Sequence, residues 1–128
     1  MIAADTSSIV NFLTGADTPD RPLVRRALTA LELCLPPPVK TELLSGTTSL
    51  IGMDDLFRAA SVMPLAEGFW ERAGESRRAL LARGLKAKLA DTLIAQCCID
   101  ADVPLIARDN DFRHFAEWCG LKLAIGIP

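Results

Sequence analysis

Four carboxylates, Asp5, Glu42, Asp91 and Asp109, stand far apart in the chain, each beside a short apolar run or early in a helical pattern. In an open α/β sheet, groups at strand carboxyl ends and at the starts of the following helices converge on one crevice. Acids gathered there without partners would repel one another, so a cluster of them implies a compensating cation. Oxygen ligands with no histidine or cysteine among them select Mg²⁺ or Mn²⁺ over zinc. An ion of that kind lowers the pKa of a bound water, orients it towards phosphorus and neutralises charge developing on the phosphate oxygens. Phosphodiester hydrolysis is the chemistry that suits a site with no nucleophilic side chain.

The elements that must position these acids can be read from the apolar pattern. Residues 1–5 read as a buried strand ending at Asp5, and residues 8–14 as a short helix closed by Gly15, glycine being the common helix terminator. Residues 23–33 carry Leu23, Val24, Ala27, Leu28 and Leu31 at helical spacing. The run "LCLPPPVKTELLSG" passes from a short apolar stretch to a helix led by Pro37 or Pro38, positions that need no amide donor. A helix is expected over 48–60, a short strand at "SVMPL", and a long helix over 66–84 carrying Phe69, Trp70, Ala73, Leu80 and Leu81. The helix over 88–101 should turn Leu89, Ala90, Leu93, Ile94, Cys97 and Cys98 inward, with Asp91 in its first turn. "PLIA" then forms a strand, "RDNDF" leads into a helix through Trp118, and "LKLAI" closes as a last strand. Short continuous apolar strands alternating with helices predict a three-layer α/β/α sandwich around a central, mainly parallel sheet, as one domain over 1–128.

These residues resemble a known family, the PIN-domain nucleases, and in particular the VapC-type toxins of bacterial toxin–antitoxin pairs. The segments that carry the likeness come in order: "AADTSSI", "PPPVKTELLSG", "LADTLIAQCCIDADVPLIARDNDF" and the ending "GLKLAIGIP". The resemblance implies a Mg²⁺- or Mn²⁺-dependent endoribonuclease with Asp5, Glu42, Asp91 and Asp109 as the metal-site acids. Thr6 and Ser7 would hold waters or orient Asp5, and Asp111 would be a nearby auxiliary acid. It further implies a homodimer, structured RNA of the tRNA or rRNA class as substrate, and a cognate antitoxin whose C-terminal segment lies over the acid pocket. A groove between the 8–14 and 48–60 helices, with Phe12 and Phe57, is the expected place for antitoxin contact. Ala107 departs from the family, which often has Thr or Ser two residues before the acid at 109.

The net charge of −2 is a poor guide to a nucleic-acid partner. With four of the sixteen acids gathered in a metal pocket, the other twelve would face fourteen bases, leaving the remaining surface at about +2. Six bases, Arg72, Arg77, Arg78, Arg83, Lys86 and Lys88, fall just before Asp91. They read either as a phosphate track or as a solvated helix face with local ion pairs. The four cysteines lack C-x-x-C spacing and read as core thiols. No stretch approaches the length of about eighteen apolar residues that spans a membrane, and Asp5 interrupts the first run too early for an export signal, so a cytoplasmic location is expected. Each acid alone has an ordinary reading: Asp5, Asp109 and Asp111 as caps or turn residues, Asp91 as a helix-dipole partner, Glu42 as a solvated residue. Two other functions stay open, a PIN-like binding module without catalysis and a phosphate-accepting receiver domain, although Asp5 lacks the acidic neighbour that a receiver needs.

Overall fold

The computed structural model describes residues 1–125; the last three residues of "GLKLAIGIP" lie outside the described residues. Four parallel strands, β1 (Ile2–Ala4), β2 (Leu33–Leu35), β3 (Ser61–Val62) and β4 (Leu105–Ile106), form a sheet in the order β3-β2-β1-β4. Among the described residues, seven helices flank it: α1 (Thr6–Thr14), α2 (Arg21–Thr29), α3 (Pro37–Ser45), α4 (Met53–Ala59), α5 (Phe69–Ala82), α6 (Leu89–Ala101) and α7 (Asp111–Trp118). This is the expected α/β/α sandwich. Strands β1, β2 and β4 are buried, with Ala3, Ala4, Leu35, Leu105 and Ile106 fully inaccessible, as parallel strands covered by helices require.

The sheet register brings the site together. β1 lies between β2 and β4, and the Asp5 amide donates to the Ile106 carbonyl at 3.0 Å. Parallel neighbours end on the same edge, so Asp5 and the residues that follow Ile106 emerge side by side. α6 leads into β4, so its N-terminal turn, which carries Asp91, returns to that edge.

Several helices are shorter than their apolar spacing predicts, and the backbone shows why. α2 stops at Thr29 because Leu31 adopts a left-handed conformation, φ 56°, and the Glu32 amide turns back to the Ala27 carbonyl at 2.8 Å. This closure frees Leu33 to enter β2 and leaves Leu31 exposed. The helix expected over 48–60 begins only at Met53, because Gly52 sits at φ 90° as its N-cap. In place of the last strand there is a single parallel bridge from Leu123 to Leu105. In α5, Phe69, Ala73 and Leu80 point inward while Trp70 (62 % exposed) and Leu81 point out; Leu89 at the start of α6 is also exposed.

Cys34, Cys97 and Cys98 are buried and Cys119 is half-buried, all as free thiols. Burial pushes every one of them up, Cys97 to about 12, which removes the reactive thiolate at neutral pH. An aromatic disulfide reagent is therefore expected to label at most one thiol of the native protein quickly, Cys119, and all four after denaturation. Rapid native labelling of Cys97 or Cys98 would contradict this packing.

Candidate functional site

Asp5 ends β1 and starts α1 at once. Its Oδ1 accepts the Ser8 amide at 2.9 Å as a helix N-cap, and the Ser7 hydroxyl donates to its Oδ2 at 3.1 Å. The capping role is thus present, yet the side chain is buried and lies within electrostatic reach of Asp109. Burial pushes the Asp5 carboxyl above its ordinary value, with Asp109 adding to the rise against the opposing hydrogen bonds from Ser8 and Ser7. A buried acid destabilised in its charged form is poised to accept a cation.

Asp91, Asp109 and Asp111 form the centre of the group. Among the described residues, one carboxylate oxygen from each lies within 4.8 Å of the other two. Asp91 is supplied by the first turn of α6, and the other two by the turn between β4 and α7. In that turn Asp109 Oδ1 accepts the Asp111 amide at 2.9 Å, which fixes both acids on one side. Burial, then Asp109 and Asp111, push the Asp91 carboxyl up to about 6, while Lys88 pulls the other way and Asp5 adds to the rise. Asp91 Oδ2 is buried with no hydrogen-bond donor. A buried carboxylate oxygen without a donor is costly, and a hard divalent cation is what three converging carboxylates fit. The residues present therefore fit the implied metal.

Glu42 projects from α3 and is exposed; its Oε1 accepts the Thr6 hydroxyl at 2.7 Å. Thr6 thus ties Glu42 to the turn that carries Asp5, while Ser7 contacts Asp5 itself. Ala107 is fully buried and offers no hydroxyl ahead of Asp109. The family resemblance implies only an auxiliary place for Asp111, whereas here one of its oxygens is among the three in mutual reach.

The six bases before Asp91 separate into distinct groups. Arg72 forms a two-pronged pair with Asp100 (Nε–Oδ1 3.0 Å, NH2–Oδ2 2.7 Å) and also donates to the Glu67 carbonyl. The same Asp100 accepts from Gln96, whose Oε1 accepts the Ser76 hydroxyl, so this network fastens α5 to α6. Arg77 donates to the Ala87 carbonyl at 2.8 Å, and Arg83 stacks on Trp118 with 3.6 Å to the ring centroid. Arg78 is exposed on α5. Lys86 and Lys88 reach the acid group, with Nζ 3.5 and 4.0 Å from Asp111 Oδ2.

A family model described as PIN domain matches residues 2–117. Solved structures share the fold: VapBC2 from Rickettsia felis bound to a promoter DNA fragment (TM-score 0.78, 19 % identity, 96 % of this chain and 97 % of that one) and FitAcB from Neisseria gonorrhoeae (TM-score 0.69, 18 % identity, 96 % of each). A toxin–antitoxin complex from Klebsiella pneumoniae also aligns, with TM-score 0.61 and 17 % identity over 99 % of this chain and all of that one. No curated protein matches the chain.

Proposed function

The chain belongs to the PIN-domain family, and from that premise we propose that residues 1–128 act as one metal-dependent endoribonuclease domain, the toxin of a toxin–antitoxin pair. The observation that carries the reading is the convergence of Asp91, Asp109 and Asp111 beside Asp5 at one edge of the sheet, with Asp91 Oδ2 buried and unpartnered. Asp5, Asp91, Asp109 and Asp111 would hold Mg²⁺ or Mn²⁺, with Glu42 at the rim. When bound, the ion supplies an activated water and charge neutralisation at phosphorus.

The chain's own groups do the positioning. Thr6 orients Glu42 and Ser7 orients Asp5; the turn at Asp109 and Asp111 holds two acids in fixed relation. With Arg72 committed to Asp100 and Arg83 to Trp118, phosphate contacts beside the acids fall to Lys86 and Lys88. Since the chain has no tyrosine, RNA shape and backbone contacts carry substrate choice over base stacking, which suits structured RNA of the tRNA or rRNA class.

Surface features support the partners of this reading. The groove lined by Phe12, Leu13, Leu28, Ile51 and Leu56, between α1, α2 and α4, suits an apolar antitoxin segment; the expected Phe57 is not in its lining and packs under Lys40, and the aligned toxin–antitoxin complex supports that partner. Outward-facing Trp70, Leu81 and Leu89 support a homodimer. No helix among the described residues is long and apolar enough to cross a membrane, and we place the protein in the cytoplasm.

The test is incubation of the purified protein with a mixed small-RNA pool in Mg²⁺ or Mn²⁺ against EDTA. Discrete metal-dependent fragments support the reading; intact RNA from folded, metal-loaded protein favours the binding module, for which the missing hydroxyl at Ala107 speaks. Thr6→Val is expected to lower cleavage by roughly 10-fold or more, as loss of a ligand-orienting contact does, with the melting temperature nearly unchanged. An unaltered rate would remove Thr6 and Glu42 from the site.

A further inference from the structure

Lys86 and Lys88 lie in the segment between α5 and α6, whose backbone is pinned where Arg77 donates to the Ala87 carbonyl and where Ala87 itself is buried. Their side chains are not pinned: they are 60 % and 57 % exposed, while the shared partner, Asp111, is only 16 % exposed. Two ammonium groups thus converge on one oxygen of the three-acid group. Ion pairs as open as these are weak and readily exchanged. Lysine, a compact charge on a flexible four-carbon stem, suits a change of partner better than arginine's planar fork.

We propose that Lys86 and Lys88 serve two partners in turn: the carboxylate of Asp111 in the metal-free protein, and a phosphate of the nucleic-acid strand once a divalent cation occupies the acids. This rests on the nuclease reading and adds to it a built-in exchange of charges. A divalent cation among Asp91, Asp109 and Asp111 neutralises the attraction that holds the lysines and repels them at short range. The freed ammonium groups then stand at the rim of the pocket where a scissile phosphate arrives. The lysines therefore compete with the metal and assist the substrate, so their removal must shift the two affinities in opposite directions. Local pairs with no phosphate role would shift the Mn²⁺ affinity alone and leave RNA affinity unchanged.

The experiment uses the double variant Lys86→Met/Lys88→Met, which keeps the apolar stems and alters only exposed charges. Mn²⁺ binding is measured by calorimetry on the metal-free protein. RNA binding is measured by anisotropy of Mn²⁺-loaded protein with a fluorescent hairpin whose phosphorothioate linkages keep their charge and resist hydrolysis. The expected result is Mn²⁺ affinity raised roughly three- to tenfold and RNA affinity lowered about tenfold at 0.15 M salt. The slope of log affinity against log salt should become shallower by roughly 1.4 to 1.8, for two lost phosphate contacts. Mn²⁺ affinity unchanged or weakened overturns the exchange, as does unchanged RNA affinity. A wild-type protein that binds Mn²⁺ but no RNA overturns the nuclease reading and the phosphate role together, and the calorimetry separates that failure from the first.

Discussion

Asp91→Asn is expected to abolish RNA cleavage while raising the melting temperature of the metal-free protein. The loss of cleavage should be at least ~100-fold, because the substitution removes a charged oxygen from the centre of the acid group. The gain in stability follows from linkage. The Asp91 carboxyl is pushed up to about 6 in the folded chain from 3.8, chiefly by burial and then by Asp109 and Asp111. Between those values the folded state holds more protons than the unfolded one, so stability falls as pH rises from about 4 to about 6 and stays reduced above. The neutral amide escapes this penalty. The variant should therefore melt higher than the wild type at pH 7.5 without metal, and the gap should close below about pH 4. Metal reverses the order: a cation at 100 times its dissociation constant adds about 2.7 kcal/mol to the wild type alone. Equal melting temperatures at pH 7.5 without metal would contradict the electrostatic account of the site.

Phe112→Ala should damage both folding and function. Phe112 is 1 % exposed, and its ring packs beside that of Phe115 with centroids 6.4 Å apart. Removing it leaves a cavity under the first turn of α7, at a cost of about 3–5 kcal/mol, or roughly 10–20 °C in melting temperature for a domain of this size. Its amide donates to the Asp109 carbonyl, and its neighbour is Asp111, so the same ring holds two acids of the site in place. Cleavage should fall with stability even at temperatures where the variant is folded. Phe112→Leu, which keeps most of the volume, should recover much of both. A Phe112→Ala protein that melts within a few degrees of the wild type would show that α7 is not anchored here.

Much of the arrangement was legible because it depends on local, periodic signals. An apolar run cut by Asp5, a proline-led helix bearing Glu42, and "PLIA" followed by Asp109 predict β1, α3 and β4, and parallel pairing then brings strand ends to one edge. Gly15, at φ 74°, ends α1 as its position suggested. What sequence could not supply was decided by contacts distant in the chain or by backbone angles with no pattern behind them. Leu31 in the left-handed region is invisible to spacing, so α2 looked longer than it is. Trp70 sits at the edge of the apolar stripe of α5, where period alone does not say whether a side chain turns in or out. Sequence left Arg72 open between a phosphate track and a helix face with ion pairs, and Asp100, twenty-eight residues away, decides for the pair. Asp111 entered the inner group through a side-chain-to-amide bond in a tight turn, a matter of fractions of an ångström rather than of residue spacing.

The central claim is that the acid group is the metal centre of RNA hydrolysis. Its most direct test is cleavage of one fragment-yielding RNA by EDTA-treated protein as Mn²⁺ is titrated, with Mn²⁺ binding followed in the same samples for wild type and Asp91→Asn. The account predicts that cleavage rises along the wild-type binding curve and that Asp91→Asn loses both. RNA cut equally well in EDTA, or Mn²⁺ bound undiminished by Asp91→Asn, would contradict it.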